Sequence, residues 1–469
     1  MNRLSVFIFR RDLRLADNTG LMKALSESNE VIPLFIFTPT QVSDKNKHKS
    51  SNAVQFMVAS LYDLDYQINK VNDKCRLWVG YGDEIKIINK ICSSITIDAI
   101  YINEDYTPYA IKRDNLIKKY CLDKKILFSA STDVLLLDIN TMTAGNGNYY
   151  HNFTLFYGKA LNYEIRKPKY VRKNNFKKFT ADFKQWNIKN TDHFLLDHDY
   201  YQINLNIAVV GGRQPATKIL NSIKKFKNYK KTKQFPAYNT TKLSAYLKFG
   251  CISVREAYVA FQIEQSGELI RGLYWRDFYY YVSVHFRQFY RYEHIMIDYP
   301  LNAKWDNNRK YFNAWKNGRT GFPLIDAAMN EMNITGFMHN RGRLAVSSFL
   351  VKDLLVDWKY GERYFSTKLV DIDRAQNVGN WNWSSSFGLD NTPFLRIFNP
   401  WTQSKTYDPD CEYIKKWIPA LENVENKHIH RWDKYHDLYK NIDYPDPIIN
   451  HDVQRKKFIK FYKQISKKN

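Results

Sequence analysis

The sequence predicts an α/β domain built on a parallel, Rossmann-like sheet, followed by an all-α domain. In the first part of the chain, short apolar runs alternate with amphipathic stretches, as in parallel strands joined by helices. After Gly211-Gly212 the apolar period becomes helical almost throughout. The 469 residues suffice for two domains. We place the α/β domain at about residues 1–130, a connector at about 131–200 and the helical domain at about 201–469.

The strands and helices follow from the period of the apolar residues. In the α/β domain, strands are predicted at Val6–Phe9, Val31–Phe37, Leu77–Val79 and Ala99–Ile102, and helices at Asn52–Ile68 and Asp83–Ile91. In the helical domain, helices are predicted at Ser244–Tyr246, Val254–Ile263, Leu273–Phe286, Phe322–Met332, Leu344–Trp358 and Glu362–Leu369. The connector shows weak periodicity, and the basic tail from Val453 is predicted to be a surface helix or a frayed end.

The charge of the chain favours a polyanionic partner. Its 71 Lys and Arg against 47 Asp and Glu leave a net charge of +24. Nucleic acid is the first candidate and an anionic membrane surface the second. Part of the charge can reflect composition alone, since Lys, Asn, Ile and Tyr are abundant everywhere. No long apolar window and no signal peptide stand out, and the five scattered cysteines suit a reducing compartment. We therefore expect no membrane span and a cytoplasmic or nuclear location.

Three segments concentrate Trp, Asn, Asp and Arg: Trp275–Phe278, Met338–Arg343 and Asp371–Trp383. In a basic protein, such residues suit a pocket where a base stacks on an indole and amides bond its edge. Asp beside Arg suits the fixing of a polar heterocycle. The chain lacks a P-loop, a GxGxxG after a strand, HExxH and GxSxG, so common nucleotide, zinc and hydrolase motifs are excluded.

Each of these residues also has a purely structural interpretation. Trp275 can anchor a helix in the core, and Asn340 can cap one. Arg341 and Arg343 can form a solvated basic face. The two aspartates of the third segment can be caps or a carboxylate pair. No His or Cys lies close to them in sequence, so no metal site is predicted.

Several segments, in the right order and spacing, resemble the photolyase and cryptochrome family. They are Phe9–Asn18, Thr240–Leu247, Gly321–Pro323, Met338–Arg343, Asp357–Arg363 and Arg396–Pro400. The similarity spans nearly the whole chain and is greatest to class I photolyases for cyclobutane pyrimidine dimers. It implies a monomeric, light-driven DNA repair enzyme, a carbon–carbon lyase, with a U-shaped FAD in the helical domain and damaged DNA as partner.

The resemblance assigns the flavin pocket. The family's flavin-binding positions fall on Tyr229, Thr240, Thr241, Leu243, Ser244, Arg276, Arg343, Asp371, Asp373 and Asn377. Hydroxyl and backbone N–H groups from Thr240 to Ser244 can hold the diphosphate. Asn377 corresponds to the residue beside flavin N5, where plant cryptochromes tend to have Asp and animal ones Cys. A neutral amide there supports reduced flavin without adding a negative charge.

The resemblance also assigns an electron relay and a lesion pocket. The relay tryptophans are Trp381, Trp358 and Trp305, in order from the flavin to the surface. The lesion-pocket residues are Trp275, Asn340, Arg341 and Trp383, and Lys233 corresponds to a basic residue that touches the DNA backbone. Photolyases for the (6-4) photoproduct carry His at the positions of Asn340 and Leu344. Since neither is His here, Asn340 indicates the cyclobutane dimer.

One position departs from the pattern. The cyclobutane enzymes usually carry a Glu three residues before the first pocket Trp, and this chain has Gly272 there. Glu268, one turn earlier, is not expected to replace it. A cryptochrome-type photoreceptor without repair activity is therefore the main alternative. A DNA-binding scaffold that retains FAD only for folding is another.

The resemblance leaves the antenna chromophore undecided. The Glu and Cys typical of a methenyltetrahydrofolate site would fall at Ala110 and near Arg291, and both are absent. Asp105 and Lys248 occupy positions of an acid and a Lys in deazaflavin-binding members. A deazaflavin, a folate and no antenna at all stay open.

Overall fold

The structure, a computed structural model, describes residues 1–144, 147–170, 173–180, 182, 186, 200–286, 289–291, 303–386, 388 and 395–466. Within these residues the α/β part forms a five-stranded parallel sheet of order β3-β2-β1-β4-β5. The strands are β1 (Asn2–Phe9), β2 (Ser28–Phe37), β3 (Trp78–Tyr81), β4 (Ala99–Asn103) and β5 (Leu127–Ser131). The helices of this part are α1 (Thr19–Glu27), α2 (Pro39–Val42), α3 (Ser51–Val71), α4 (Glu84–Ser94) and α5 (Pro108–Asp123). The predicted α/β class is confirmed.

Both faces of the sheet are buried, because successive side chains of a strand point to opposite faces. Along β1, Phe7 and Phe9 join the larger core shared with the helical part, and their rings meet edge to face at 4.7 Å. Val6 and Ile8 join a second core on the other face. The short continuous apolar runs in the sequence therefore mark strands covered by helices on both sides.

The strand order creates a crevice at the carboxyl end of the sheet. β1 pairs with β2 on one side and with β4 on the other. The strands that follow β1 in sequence lie first on one side of it (β2, β3) and then on the other (β4, β5). Open α/β sheets bind ligands at the carboxyl ends of the strands where the order reverses in this way. Arg10 and Arg11 follow β1 directly at this point, and Asp105 follows β4.

The rest of the described chain is helical, which confirms the second part of the predicted fold class. Its helices are α6 (Phe153–Ala160), α7 (Arg213–Asn221), α8 (Tyr229–Thr232), α9 (Ser244–Phe249), α10 (Val254–Ile263), α11 (Gly267–His285), α12 (Arg309–Lys316), α13 (Pro323–Thr335), α14 (Asn340–Ser348), α15 (Trp358–Lys368), α16 (Arg374–Ser384), α17 (Pro400–Tyr407), α18 (Glu412–Trp417), α19 (Asn426–Ile429), α20 (Trp432–Tyr435) and α21 (His451–Ser466). None of these helices, over the part of the chain described, has the length and apolar character needed to cross a bilayer.

A buried ion network joins the two parts. Arg14, after β1, contacts Asp133 at 2.5 Å, and Arg255 of α10 contacts Asp133 and Asp17, each at 2.7 Å. Burial raises the pKa of Asp133, but the two arginines outweigh it and hold the pKa far below its usual range. Losing one partner of such a network leaves a buried charge uncompensated, at a cost of about 3–5 kcal/mol. The arginine-rich segment after β1 thus has a structural role.

The predicted helix Leu344–Trp358 is confirmed as far as Asp353 and is wrong beyond it. The structure ends α14 at Ser348, adds a π-helical turn at Phe349–Asp353, and starts α15 only at Trp358. Leu355 lies between them at φ 51°, a left-handed conformation that no helix tolerates. Asp357 then caps α15 by accepting a hydrogen bond from the Lys359 N–H. The continuous apolar run hid this break because both helices are buried.

The connector is more structured than its weak periodicity indicated. It contains α6, and Phe176 forms an isolated parallel bridge with Val31 beside the sheet. Most of residues 181–199 lie outside the described part of the chain. The domain boundaries near residues 130 and 200 therefore stay predictions.

Candidate active site

Three predicted flavin residues meet in one hydrogen-bonded clasp. The Arg343 Nη2 atom donates to both carboxylate oxygens of Asp371, at 2.9 and 3.0 Å. Ser244 Oγ donates to the same carboxylate at 2.7 Å, and Arg343 Nε donates to the Met338 carbonyl at 2.9 Å. The clasp joins the start of α9, α14 and the loop before α16, positions up to 127 residues apart in sequence.

Asp373 lies at the centre of a second cluster. It caps α16 by accepting from the Gln376 N–H, and its other oxygen accepts from Arg11 at 2.5 Å and from the Tyr280 hydroxyl. Burial raises the pKa of this carboxyl, but Arg11, Lys248 and the Tyr280 hydroxyl hold the pKa well below its usual range. Asp373 is therefore a fixed anion beside the predicted flavin pocket.

Helix α11 contributes Arg276 and Asp277 to the same region. Arg276 donates to the Val134 carbonyl at 2.8 Å and lies over the Tyr280 ring. Asp277 accepts hydrogen bonds from the backbone N–H groups of Leu136 and Leu137. Burial raises the pKa of Asp277 to about 7, against the opposing effect of Arg276. Both residues thus fasten the connector to α11.

Asn377 and Glu362 form a buried pair between α16 and α15. The Asn377 amide nitrogen donates to the Glu362 carbonyl at 3.0 Å and to its carboxylate at 2.8 Å. This commits the donor end of the amide, so its carbonyl oxygen is the end able to accept a proton donor of a ligand. Glu362 lies within the family segment Asp357–Arg363, but the resemblance assigned it no role and gave no contact with Asn377, 15 residues away.

The predicted phosphate segment lies at the start of α9. Thr240 and Thr241 are half-buried, Leu243 is buried, and Ser244 is exposed apart from its bond to Asp371. Lys242 has φ 49°, which turns the chain sharply between the threonines and the helix. Tyr229, at the start of α8, is half-buried, and burial raises its pKa. The flavin role of Tyr229 stays a prediction.

Comparison with known proteins identifies the family. Residues 5–172 match the family described as DNA photolyase, and residues 269–464 match the FAD binding domain of DNA photolyase. The chain belongs to the DNA photolyase family. It is an enzyme of that family, and FAD is its cofactor.

Relatives of this photolyase match it along nearly its full length. The deoxyribodipyrimidine photo-lyase of Buchnera aphidicola subsp. Acyrthosiphon pisum is 35% identical, over 97% of this chain and 96% of the relative. A crystal structure of an archaeal photolyase from Sulfolobus tokodaii with two FAD molecules is 39% identical, with TM-score 0.86 over 98% and 100% of the two chains. A Synechocystis cryptochrome is 25% identical, with TM-score 0.84 over 98% and 99%.

The residues of this photolyase fit FAD by their chemistry. A diphosphate needs hydroxyl and cationic donors, and Thr240, Thr241 and Arg343 supply them. A flavin ring needs an acceptor beside its protonated nitrogen, and the Asn377 carbonyl oxygen is free of the bonds to Glu362. The site of each group in the pocket stays a prediction.

The predicted relay tryptophans are all buried. Trp381 meets the Phe365 ring edge to face at 5.0 Å, and it lies so close to Gly361 of α15 that a Cβ there would fall 2.2 Å from its ring. Trp358, one turn before Gly361, is also buried. Trp305 was expected to reach the surface, yet it is only 9% exposed, because Phe461 of α21 packs against it at 4.8 Å. That part of the expectation is corrected.

The predicted lesion-pocket residues differ in their surroundings. Trp275 is half-buried and stacks on Phe153 of α6, with ring centroids 3.6 Å apart and planes 7° apart. Trp383 is half-buried on α16, and Asn340 is exposed at the start of α14. Phe153 was missed by sequence, since it falls in the connector. One face of Trp275 is thus used by the protein itself.

Arg341 and Lys233 are held by partners of their own. The Arg341 guanidinium donates to Gln234 and to Gln403, the latter at 3.2 Å, and lies 3.9 Å from the Tyr407 ring centroid. Burial lowers its pKa. Lys233 forms an ion pair with Glu268 at 2.5 Å, so Glu268 is engaged with this lysine and not with the pocket.

Gly272 is exposed on α11, one turn before Trp275. A Cβ built on Gly272 would meet no atom within 4 Å. Its neighbour Arg271 lies over the Phe153 and Tyr157 rings, at 4.9 and 5.2 Å. A larger side chain, such as the Glu that the family resemblance leads us to expect here, therefore has open space at this position.

The crevice at the carboxyl end of the sheet holds a cavity of about 270 Å³. Asp105 and Lys248, the predicted antenna residues, both line it. Its other charged or titratable lining residues are Arg10, Arg11, His48, Lys49, Glu84, Tyr109, Arg113 and Arg374. Burial and the nearby Arg11 lower the pKa of Lys248 to about 8. Ala110 is fully buried, and the side chain of Arg291 lies outside the described part of the chain.

Proposed function

We propose that this photolyase repairs cyclobutane pyrimidine dimers in DNA by light-driven electron transfer. The observation that carries the proposal is the close joining of α11 and α16, since each bears residues of both predicted pockets. A Cβ on Gly379 of α16 would fall 2.2 Å from the Tyr279 ring of α11, and the Tyr279 hydroxyl donates to Asn380 at 3.1 Å. Two helices in such contact hold the flavin and lesion sites as neighbours.

The side chains of each helix divide between the two sites. On α11, Trp275 serves the lesion and Arg276 the flavin. On α16, Asn377 serves the flavin, while Trp383 serves the lesion. FAD held by these residues would, when reduced and excited by light, supply the electron that splits the dimer and take it back, so the reaction would have no net redox change.

Binding of the lesion uses stacking, amide hydrogen bonds and charge. The indoles of Trp275 and Trp383 stack on a flipped-out pyrimidine dimer, a contact of about 1–3 kcal/mol per base. Asn340 presents an amide to the base edge. The net charge of +24 favours the phosphates of duplex DNA.

A DNA substrate is consistent with a location in the cytoplasm or the nucleus. One copy of the chain suffices for the reaction, because it carries both proposed pockets.

The choice of lesion follows from Asn340 and Leu344. Neither side chain can transfer a proton, whereas acid–base chemistry on a (6-4) product requires such a group. A cyclobutane ring needs only the electron. The tryptophans Trp381, Trp358 and Trp305 have a separate task. Indole rings can be oxidised, so these residues can pass electrons from one to the next and restore the reduced cofactor.

The N-terminal cavity is proposed to hold an antenna chromophore with phosphate groups. Its wall carries more cations than carboxylates, and Lys248 and Arg374 add positive charge beyond the paired arginines. The Sulfolobus tokodaii relative contains two FAD molecules. A second flavin fits this wall better than a folate, because Ala110 stands where a folate site typically has a Glu.

Illumination of a dimer-containing oligonucleotide with FAD-loaded, reduced protein tests the proposal. Repair restores the ultraviolet absorbance of the bases in the light and not in the dark. Trp275→Ala is expected to lower dimer binding about fivefold or more, and Trp417→Ala, which changes a half-buried tryptophan of α18, serves as the matched control. Absence of light-dependent repair by a protein that binds FAD would refute the proposal.

The second candidate is a photoreceptor without repair activity. One observation favours it, the Gly272 that replaces the pocket Glu. In that case illumination reduces the bound flavin, while the oligonucleotide stays damaged. Loss of both responses would indicate a scaffold that binds FAD for stability alone.

A further inference from the structure

One side chain, Arg11, bonds to both ligand sites of the protein. Its Nη2 atom contacts Asp373 of the flavin region at 2.5 Å, and its Nη1 atom contacts Asp105 of the cavity wall at 3.3 Å. Its Nε atom donates to the Lys248 carbonyl at 3.1 Å. All three nitrogens of the guanidinium are therefore used, and they fasten two carboxylates that lie 268 residues apart in sequence (373 − 105).

Arg11 and its two carboxylates are largely shielded from bulk solvent, although Arg11 and Asp105 also line the cavity. The Arg11 side chain is 12% exposed, that of Asp105 11% and that of Asp373 2%. The Tyr280 ring lies 5.4 Å from the guanidinium, and its hydroxyl bonds to Asp373. Charges in such a place are screened much less than surface charges, so a change at one carboxylate acts strongly on the other.

We propose that Arg11 is a positioning residue that transmits the charge state of the N-terminal cavity to the flavin pocket. The two carboxylates compete for one guanidinium. When negative charge on the cavity side falls, Arg11 neutralises Asp373 more completely, and the flavin pocket becomes more positive. When an anionic ligand occupies the cavity, the effect is reversed. The inference rests on FAD binding in the helical part and not on DNA repair.

The sign of the effect follows from electrostatics. Reduction adds negative charge to a flavin, so a more positive pocket favours the reduced form and raises its midpoint potential. Asp105→Asn removes one negative charge from the cavity side without substituting any residue of the predicted flavin pocket. We expect it to raise the ratio of reduced to oxidised flavin, at a fixed potential, about fivefold or more, the lower end of measured couplings between sites.

Glu84→Gln is the matched control. Glu84 lines the same cavity and loses the same charge, but its carboxylate accepts from the Tyr109 hydroxyl at 2.9 Å and is not bonded to Arg11. The midpoint potential of FAD-loaded wild type, Asp105→Asn and Glu84→Gln is measured by spectroelectrochemical titration, in the dark and without DNA. A larger shift for Asp105→Asn is expected from transmission through Arg11, but a through-space effect also grows with proximity, so the two explanations are separated by removing the forked contact of Arg11.

Arg11→Lys completes the test. Lysine keeps the charge, but a single ammonium cannot hold two carboxylates in the forked geometry of arginine. In the Arg11→Lys background, the shift caused by Asp105→Asn is expected to fall to that of Glu84→Gln. Equal shifts for Asp105→Asn and Glu84→Gln, or an undiminished shift in the Arg11→Lys background, would overturn the inference. If Arg11→Lys fails to fold, equal shifts for the two cavity variants still overturn the inference. Failure to repair DNA leaves these potentials measurable.

Discussion

Replacing Gly272 with Glu is predicted to strengthen recognition of the damaged base. The site is exposed, a Cβ there meets nothing within 4 Å, and Trp275 lies one turn away on the same helix. A carboxylate at this place gains one charge-assisted hydrogen bond to the lesion. Such a bond contributes about 1.5–3 kcal/mol, or about 10–150-fold in affinity. Glu is also a better helix former than Gly, which adds about 0.5–1 kcal/mol to the free energy of unfolding.

The assay is the dissociation constant of a dimer-containing oligonucleotide in the dark, with the undamaged oligonucleotide as reference. Added negative charge weakens binding to any DNA, so a control with the same charge is required. Gly267→Glu provides it, because Gly267 begins the same helix and also has open space for a Cβ. Selective tightening toward damaged DNA in Gly272→Glu alone supports the reasoning. Equal behaviour of the two variants, or no gain in selectivity, would refute it.

Three further predictions concern the flavin pocket, the relay and stability. Asn377→Asp places a second carboxylate beside Glu362, so the midpoint potential of bound FAD should fall; an unchanged potential contradicts the assigned position. Phe461→Ala uncovers Trp305, so photoreduction by an external thiol should accelerate, and an unaltered rate would argue against Trp305 as the terminal donor. Burial raises the pKa of Asp277 to about 7 in the folded protein, above its unfolded value of 3.8. The stability it contributes is therefore complete below about pH 4 and is lost as the pH rises through about 7, a change on the order of 4 kcal/mol that Asp277→Asn should flatten in denaturation curves.

Local patterns predicted the regular elements well. The apolar runs at Val6–Phe9 and Ala99–Ile102 fall within strands β1 and β4, and the period over Asn52–Ile68 falls within α3. These segments are recognisable because a strand or helix that packs against the core carries apolar residues at the period of its own geometry. The break at Leu355 was missed, since both flanking segments are buried and no Gly or Pro marks it.

The candidate site was predicted only as far as the family resemblance reached. The resemblance assigned Ser244, Arg343 and Asp371 to one pocket, and in the structure their side chains are in contact. It did not indicate Glu362 behind Asn377 or Arg11 against Asp373. Those partners are joined by the fold across up to 362 residues, and neither sequence period nor spacing carries such long-range contacts.

Phe461 shows the same limit at the other end of the relay. The basic tail suggested a surface helix or a frayed end, yet Phe458 of α21 is fully buried and Phe461 packs on Trp305. The many lysines of this helix hide its apolar stripe when only composition is considered. Burial of the third tryptophan thus became visible only in the structure.

The fluorescence lifetime of the reduced flavin tests the central claim most directly. In the proposed mechanism, FAD lies beside a tryptophan-lined pocket, close enough for an electron to pass to a bound dimer. A saturating dimer-containing oligonucleotide should therefore shorten the lifetime markedly, while the undamaged oligonucleotide leaves it unchanged. An identical lifetime with both, although the damaged oligonucleotide is bound, would contradict the account.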